Sequence, residues 1–421
     1  MKVNKIDREF VEQHNLKINS DQINSFFKSA NPKNPTRKKL PSRLDDFVRI
    51  IMYFNFIDRM KRIYLCREMP SIEIPVYEKK FWNSEKEQLS KMLWSLYRRD
   101  FELEFIQETA NKPRKQIQTK LFEDPHEILL FSEGLDSIAA STEFEHAILV
   151  HVVKSHFTGA HIEKLQQLFP GRKIEKITFS PIHGKTKLPP DTGISNSRGL
   201  IFLGLSSIHL HLDKADTLIT GENGLMMYNP PLFEGSQPTR TMNPDFVRSM
   251  QTLLTDIYER DIQIKTPYIG KTKKEVLEIA KRNLQEKFDF AIKESHSCFS
   301  QQPRGTQTKM CGRCYACILR TISIRALQGY DNSEYETSPF SEGFKDGKGI
   351  TNVMDLLRFS NGVLNNRLPY AAKKIVKNDE DLFRRFATEV VTTIRKIPEK
   401  SEQLKVESRK KYFRDRKAET G

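Results

Sequence analysis

Cys298, Cys311, Cys314 and Cys317 follow one another with the spacing C-x12-C-x2-C-x2-C and make up four of the five cysteines in 421 residues. Four thiolates suit a tetrahedral Zn2+, and an iron–sulfur cluster takes the same donors. The short x2 spacings let one turn present adjacent sulfurs. With cysteine at all four positions no site is left for water, so a zinc ion here is expected to be structural rather than catalytic. Free thiols are the plain alternative. A disulfide framework would be shorter and denser in cysteine. Cys66 stands apart, next to an apolar stripe, and reads as a buried thiol.

A second segment with chemistry in it lies upstream. Ile128-Leu-Leu-Phe-Ser132-Glu133-Gly134-Leu135-Asp136-Ser137 reads as a strand, a tight loop and the start of a helix. Glycine lets backbone N–H groups approach a phosphate, and a helix N-terminus adds partial positive charge. The hydroxyls of Ser132 and Ser137 can donate to phosphate oxygens. Asp136 can orient a metal-bound pyrophosphate or cap the helix. GxxxxGK[ST] is absent, so this is not a Walker loop. The competing reading is a helix with an ordinary N-cap.

The elements that must hold these groups come from periodicity. From His126 onward short apolar strands alternate with helices: strands at 128–131, 147–153, 174–179, 217–220 and 262–266, helices at 137–145, 159–169, 200–212, 244–260 and 273–284. Buried strands separated by helices imply a parallel sheet covered on both faces, with ligands beyond the carboxyl ends of the strands. Upstream, an apolar stripe from Asp45 to Arg67, alternating runs at 72–77 and 101–106, and an amphipathic stretch at 84–97 suggest a small α/β module. The expected organisation is a helical segment and basic linker (1–44), this module (45–122), the main domain (123–330) and a helical extension (331–421).

Hydrophobic residues at 38% supply a sizeable core. No apolar run reaches the roughly 18 residues that cross a bilayer, and the first residues lack a secretory leader, so a cytoplasmic protein without membrane contact is expected. The net charge of +15 favours polyanionic partners and permits a nucleic acid. The acid-free stretch between Gln22 and Leu44 reads as a solvated linker in preference to a polyanion-binding arm. The histidines form no nucleophile set.

The segment 132–137 resembles the SGGxDS pyrophosphate loop of the adenine-nucleotide α-hydrolase-like (PP-loop) superfamily, with Glu133 where that pattern has glycine. Followed by CGxCxxCxLR at 311–320, it has the layout of the 7-cyano-7-deazaguanine synthase (QueC) family over roughly residues 126–330. Two intervening stretches agree: Ser197-Arg198-Gly199, with Gly199 for the usual asparagine, and Pro267 to Val276. The resemblance implies ATP and Mg2+ as cofactors beside Zn2+, and 7-carboxy-7-deazaguanine or a similar small molecule as substrate. It implies activation of that carboxylate by adenylation, then ligation to an amine. Ser132, Glu133, Gly134, Leu135, Asp136 and Ser137 would bind nucleotide, and Asp136, Arg198 and Lys273 would serve catalysis. The family's substrate-side run after its fourth strand is replaced by Gly221-Glu222-Asn223-Gly224 and the residues up to Pro244. There Glu222 and Asn223 would read a purine-like edge, unless they simply build a turn. That departure and the N-terminal module resemble the QueC-like proteins of bacterial anti-phage defence systems such as Qat, which implies a protein partner in such a system. A tRNA-modifying PP-loop enzyme and a nucleotide-binding partner with a decayed site are the alternatives.

Overall fold

The computed structural model describes residues 17–18, 40–58, 71–108, 126–154, 160–172, 174–179, 196–233, 238–298, 309–337, 339–340 and 348–396. Cys66 and most of the stretch 1–44 lie outside these residues. Where that stretch is described, Lys17–Ile18 forms a strand (β1), not the expected helix.

Helix α1 (Ser42–Ile57), strand β2 (Ser71–Val76), helices α2 (Lys79–Ser84) and α3 (Lys86–Tyr97) and strand β3 (Glu102–Gln107) follow. The three strands form a parallel sheet in the order β1-β2-β3. A parallel neighbour needs a crossover, and α2 and α3 supply it between β2 and β3.

The second sheet has five strands, all parallel, in the order β6-β5-β4-β7-β8. They are β4 (His126–Leu130), β5 (Ile148–Lys154), β6 (Ile174–Phe179), β7 (Ala215–Thr220) and β8 (Gln263–Lys265). Helices α4 (Leu135–Glu143), α5 (Ala160–Leu165), α6 (Arg198–Ser206), α7 (Ile208–Leu212), α8 (Gly224–Tyr228), α9 (Pro244–Tyr258) and α10 (Lys273–Leu284) join or follow the strands. The protein is therefore α/β, with a parallel sheet covered on both faces.

Strand alternation divides the core. Ile128, Val150 and Leu218 face one side, with Leu200 and Leu203 of α6 and Phe246 and Met250 of α9. Leu129, Leu149 and Ile219 face the other, with Ile138 of α4 and Val276 and Leu277 of α10. The period-2 geometry of a strand requires this split.

The first of these half-cores does not stop at the main sheet. It is continuous with Phe47, Ile50, Ile51 and Phe54 of α1 and with Leu89, Met92 and Leu93 of α3, so both modules share one hydrophobic interior. Each such buried side chain contributes roughly 1.5–3 kcal/mol of transfer free energy. At its polar edge Asp46 accepts hydrogen bonds from Tyr77 N (2.7 Å), Glu78 N (2.9 Å) and Trp82 Nε1 (3.1 Å). Burial pushes its carboxyl up to about 7, against the pull of these donors and of Arg49.

Beyond the sheet come α11 (Phe288–Glu294), α12 (Tyr315–Gln328), α13 (Lys348–Leu364), α14 (Tyr370–Val376) and α15 (Glu380–Arg395). Ile318, Leu319 and Ile322 of α12 bury themselves against Leu356, Phe359, Phe383 and Phe386 of these last helices, forming a third core. No helix among the described residues is long and apolar enough to cross a membrane.

Candidate active site and metal centre

From β4 the chain proceeds outward to β5 and β6, then returns to place β7 and β8 on the opposite side of β4. The strand order thus reverses between β4 and β7, and in open parallel sheets ligands bind at that point beyond the carboxyl ends. The loop 131–134 leaves β4 there, and Gly221-Glu222-Asn223 leaves β7 beside it. The two loops touch: a Cβ added at Gly221 would lie 2.8 Å from the Asp136 carbonyl oxygen.

Asp136 is the hub. Its Oδ1 accepts from Lys273 Nζ at 2.6 Å and its Oδ2 from Asn223 Nδ2 at 2.8 Å. Lys273 opens α10 and Asp136 lies in the first turn of α4, so two helix starts converge on the crevice. The other end of the Asn223 amide accepts from Met226 N at 3.2 Å and caps α8, which fixes the orientation of the group.

Arg198 and Glu222 complete the cluster. Both are set deep among protein atoms, yet Arg198 is exposed and Glu222 only half-buried, as expected for side chains lining a concave wall. Desolvation and the negative charge of Asp136 push the Glu222 carboxyl up, while Arg198 and Lys273 pull it down. Two cations face two carboxyls, one of which is biased toward its neutral form.

Within the loop, Ser137 Oγ lies 2.7 Å from Ser132 O and 2.9 Å from Gly134 O and accepts from Ser132 N at 3.1 Å. Its hydroxyl staples the turn. Ser132 Oγ accepts from Gly134 N at 3.2 Å. Leu135 is fully buried in the core, so only its backbone is available to a ligand. The Glu133 carbonyl accepts from His296 N at 2.7 Å, joining the loop to the segment that leads into the cysteines.

The four sulfurs of Cys298, Cys311, Cys314 and Cys317 lie within 4.8 Å of one another. Around a single tetrahedral zinc, Zn–S bonds of about 2.3 Å separate the sulfurs by about 3.8 Å. The pairs 298–314 and 311–317 stand at 3.9 and 4.0 Å. Cys311 N and Cys314 N donate to the sulfurs of Cys298 and Cys311, each at 3.4 Å, which suits thiolate acceptors. Gly312 makes the turn possible: its φ is +73° and a Cβ would lie 1.6 Å from the Thr337 carbonyl oxygen. The cluster could hold a metal ion such as zinc.

Each wall of the crevice is braced by residues to which sequence reasoning gave no role. Asp58, at the end of α1, accepts from both Ser197 N (2.7 Å) and Ser197 Oγ (2.5 Å) and so anchors the start of the Arg198 helix. Thr272 caps α10 in a reciprocal box with Glu275, and its hydroxyl donates to Glu389 of α15 at 2.7 Å. Arg385 of α15 donates to Glu275 and to the Gly270 carbonyl, each at 2.8 Å. Arg320, wholly buried, holds the stretch before Cys298. Of these, only the Thr272-x-x-Glu275 box had a readable local signal.

The class is that of a doubly wound parallel sheet with polar and charged side chains at its switch point and a four-cysteine cluster that could hold a metal ion. The family model described as Queuosine biosynthesis protein QueC matches residues 187–328. Over 64 residues the chain is 38% identical to a 7-cyano-7-deazaguanine synthase of Gloeobacter violaceus, a stretch covering 15% of this chain and 25% of that protein. The chain thus spans about a quarter of the length of the curated relative it matches. It is QueC-like. The matched residues include Arg198, Glu222, Asn223, Lys273 and all four cysteines, whereas the loop 132–137 lies before them.

Proposed function

We propose that the chain binds ATP with Mg2+ in the crevice between β4 and β7 and activates the carboxylate of a 7-deazaguanine by adenylation. The observation that carries this reading is Asp136, held from opposite sides by Lys273 and Asn223 at the point where the strand order reverses. A carboxylate carbon is protected by resonance and charge. Attack of a carboxylate oxygen on the α-phosphorus, with pyrophosphate as leaving group, converts it to an acyl-adenylate. An amine then adds to the acyl carbon, loses a proton and expels AMP.

In this reading the backbone of 132–135 cradles the pyrophosphate, and Asp136 orients it. Lys273 and Arg198 stabilise the charge that develops as the α–β bond breaks. Mg2+ would supply further neutralisation there. Asn223 is committed to Asp136 and to the cap of α8, so it acts by orienting Asp136, and Glu222 is left to face the base. The four cysteines hold structural zinc. The residues 221–244, which depart from the family's substrate-side run, favour an amine other than ammonia, with transfer to a macromolecule in anti-phage defence as the specific version.

The test is pyrophosphate release on mixing the protein with ATP and 7-carboxy-7-deazaguanine. Release that needs the carboxylated base, and that falls at least 100-fold in Lys273→Met, is expected on the scale of a lost transition-state donor, roughly 10²–10³. ATP binding without release would leave a nucleotide-binding partner protein and sink the adenylation reading. Mass spectrometry of the products separates a free nitrile from a modified macromolecule.

A further inference from the structure

Arg320 is a fully buried cation with no carboxylate among its hydrogen-bond partners in the described residues. It lies three residues after Cys317, on α12. Its guanidinium donates to Ser297 Oγ (3.3 Å), Ser295 Oγ (3.0 Å), the Ile292 carbonyl and Ser333 Oγ (3.0 Å). The fork therefore ties the helix that carries Cys317 to the chain that runs into Cys298. Burying a guanidinium without a carboxylate partner is costly, so this arrangement leans on the acceptors that surround it.

That same chain is the wall of the phosphate loop. His296 N donates to the Glu133 carbonyl at 2.7 Å, and Ser297 Oγ lies 3.9 Å from where a Cβ on Gly134 would stand. Ser297 thus accepts from Arg320 and lies beside the loop that its neighbour His296 bonds, one residue from a cysteine of the cluster. We propose that Arg320 is a positioning residue that couples the metal centre to the loop 132–137: metal held by the four cysteines fixes Ser295–Ser297 through Arg320, and these fix the loop. The inference rests on the nucleotide site proposed above, but the link itself is a property of the apo chain. Coupling between sites is reciprocal, so nucleotide must retain metal by the factor by which metal improves nucleotide binding.

The test uses full-length zinc-loaded protein, the same protein treated with chelator, and Arg320→Lys and Ser297→Ala variants whose zinc content is measured. Amide hydrogen exchange is followed at 131–138, with 71–107 as internal reference. Loss of metal is expected to speed exchange in the loop and leave the reference unchanged, and both variants to do the same while retaining zinc. Titration with ATP is expected to weaken about 5–150-fold on metal removal, and ATP to slow zinc release to a chromophoric chelator in the same proportion. Because Ser297→Ala removes only a hydroxyl, the question stays open to measurement if Arg320→Lys fails to fold. A loop whose exchange ignores both metal and variants overturns the inference. Exchange that responds in a protein that binds no ATP upholds the link and removes the nucleotide reading instead.

Discussion

Gly199 follows Arg198 in the first turn of α6, and its replacement by alanine tests how the crevice is built. An added Cβ would stand 1.7 Å from the Thr241 carbonyl oxygen and 3.1 Å from the Phe246 ring. Ordinary contact begins near 3.4 Å, so the carbonyl must retreat by about 1.7 Å. It cannot do so freely, because Asn243 caps α9 two residues later and Phe246 is wholly buried. Overpacking of this kind costs about 3 kcal/mol when backbone is the obstacle. Alanine recovers about 1 kcal/mol through its helix propensity, leaving a net loss of about 2 kcal/mol. A displacement of about 1 Å at Arg198 would also lower ATP-dependent pyrophosphate release on the order of 100-fold. Urea denaturation and a pyrophosphate assay measure the two effects. A variant within about 0.5 kcal/mol of the parent, the usual range for a neutral surface change, with unchanged release, would refute the reasoning. Gly199→Asn is expected to be worse, since the residue is larger at the same obstruction.

Asp58→Ala leaves two buried donors on Ser197 without their acceptor and is expected to destabilise by about 3 kcal/mol in urea while raising the KM for ATP through Arg198. Burial pushes Glu389 up to about 7 against the Thr272 donor. A carboxyl raised in the fold binds more protons than it does unfolded, so its contribution is present at low pH and lost as pH rises through about 7. Thermal stability is therefore expected to fall between pH 5 and pH 8, and Glu389→Gln to flatten part of that slope. A slope unchanged in Glu389→Gln would count against the assignment.

The main sheet was legible because its strands are short apolar runs with helical periods between them, and the structure places all five in parallel. The convergence of the four cysteines was equally plain, since cysteine spacing is a local signal. What escaped were features set by distant residues. A turn was the alternative reading of Glu222 and Asn223, and no helix was expected after them, yet the Asn223 cap starts a one-turn helix, Gly224–Tyr228. Asp58, Arg320 and Glu389 matter through partners 139, 23 and 117 residues away, and no spacing rule reaches so far. The helix at 288–294 is short and gave no periodic stretch long enough to read.

The shared interior of the two sheets bears on how such a chain can be cut or inherited. Removing everything before residue 126 would strip α1 from α6 and α3 from α9 and open to water the part of the shared interior that those two helices cover. A fragment trimmed to the QueC-like stretch would carry a raw apolar face and tend to clump before its chemistry could be measured. By the same token, the N-terminal segment is no detachable ornament: lineages that gain or lose it must refit half the greasy interior in the same step.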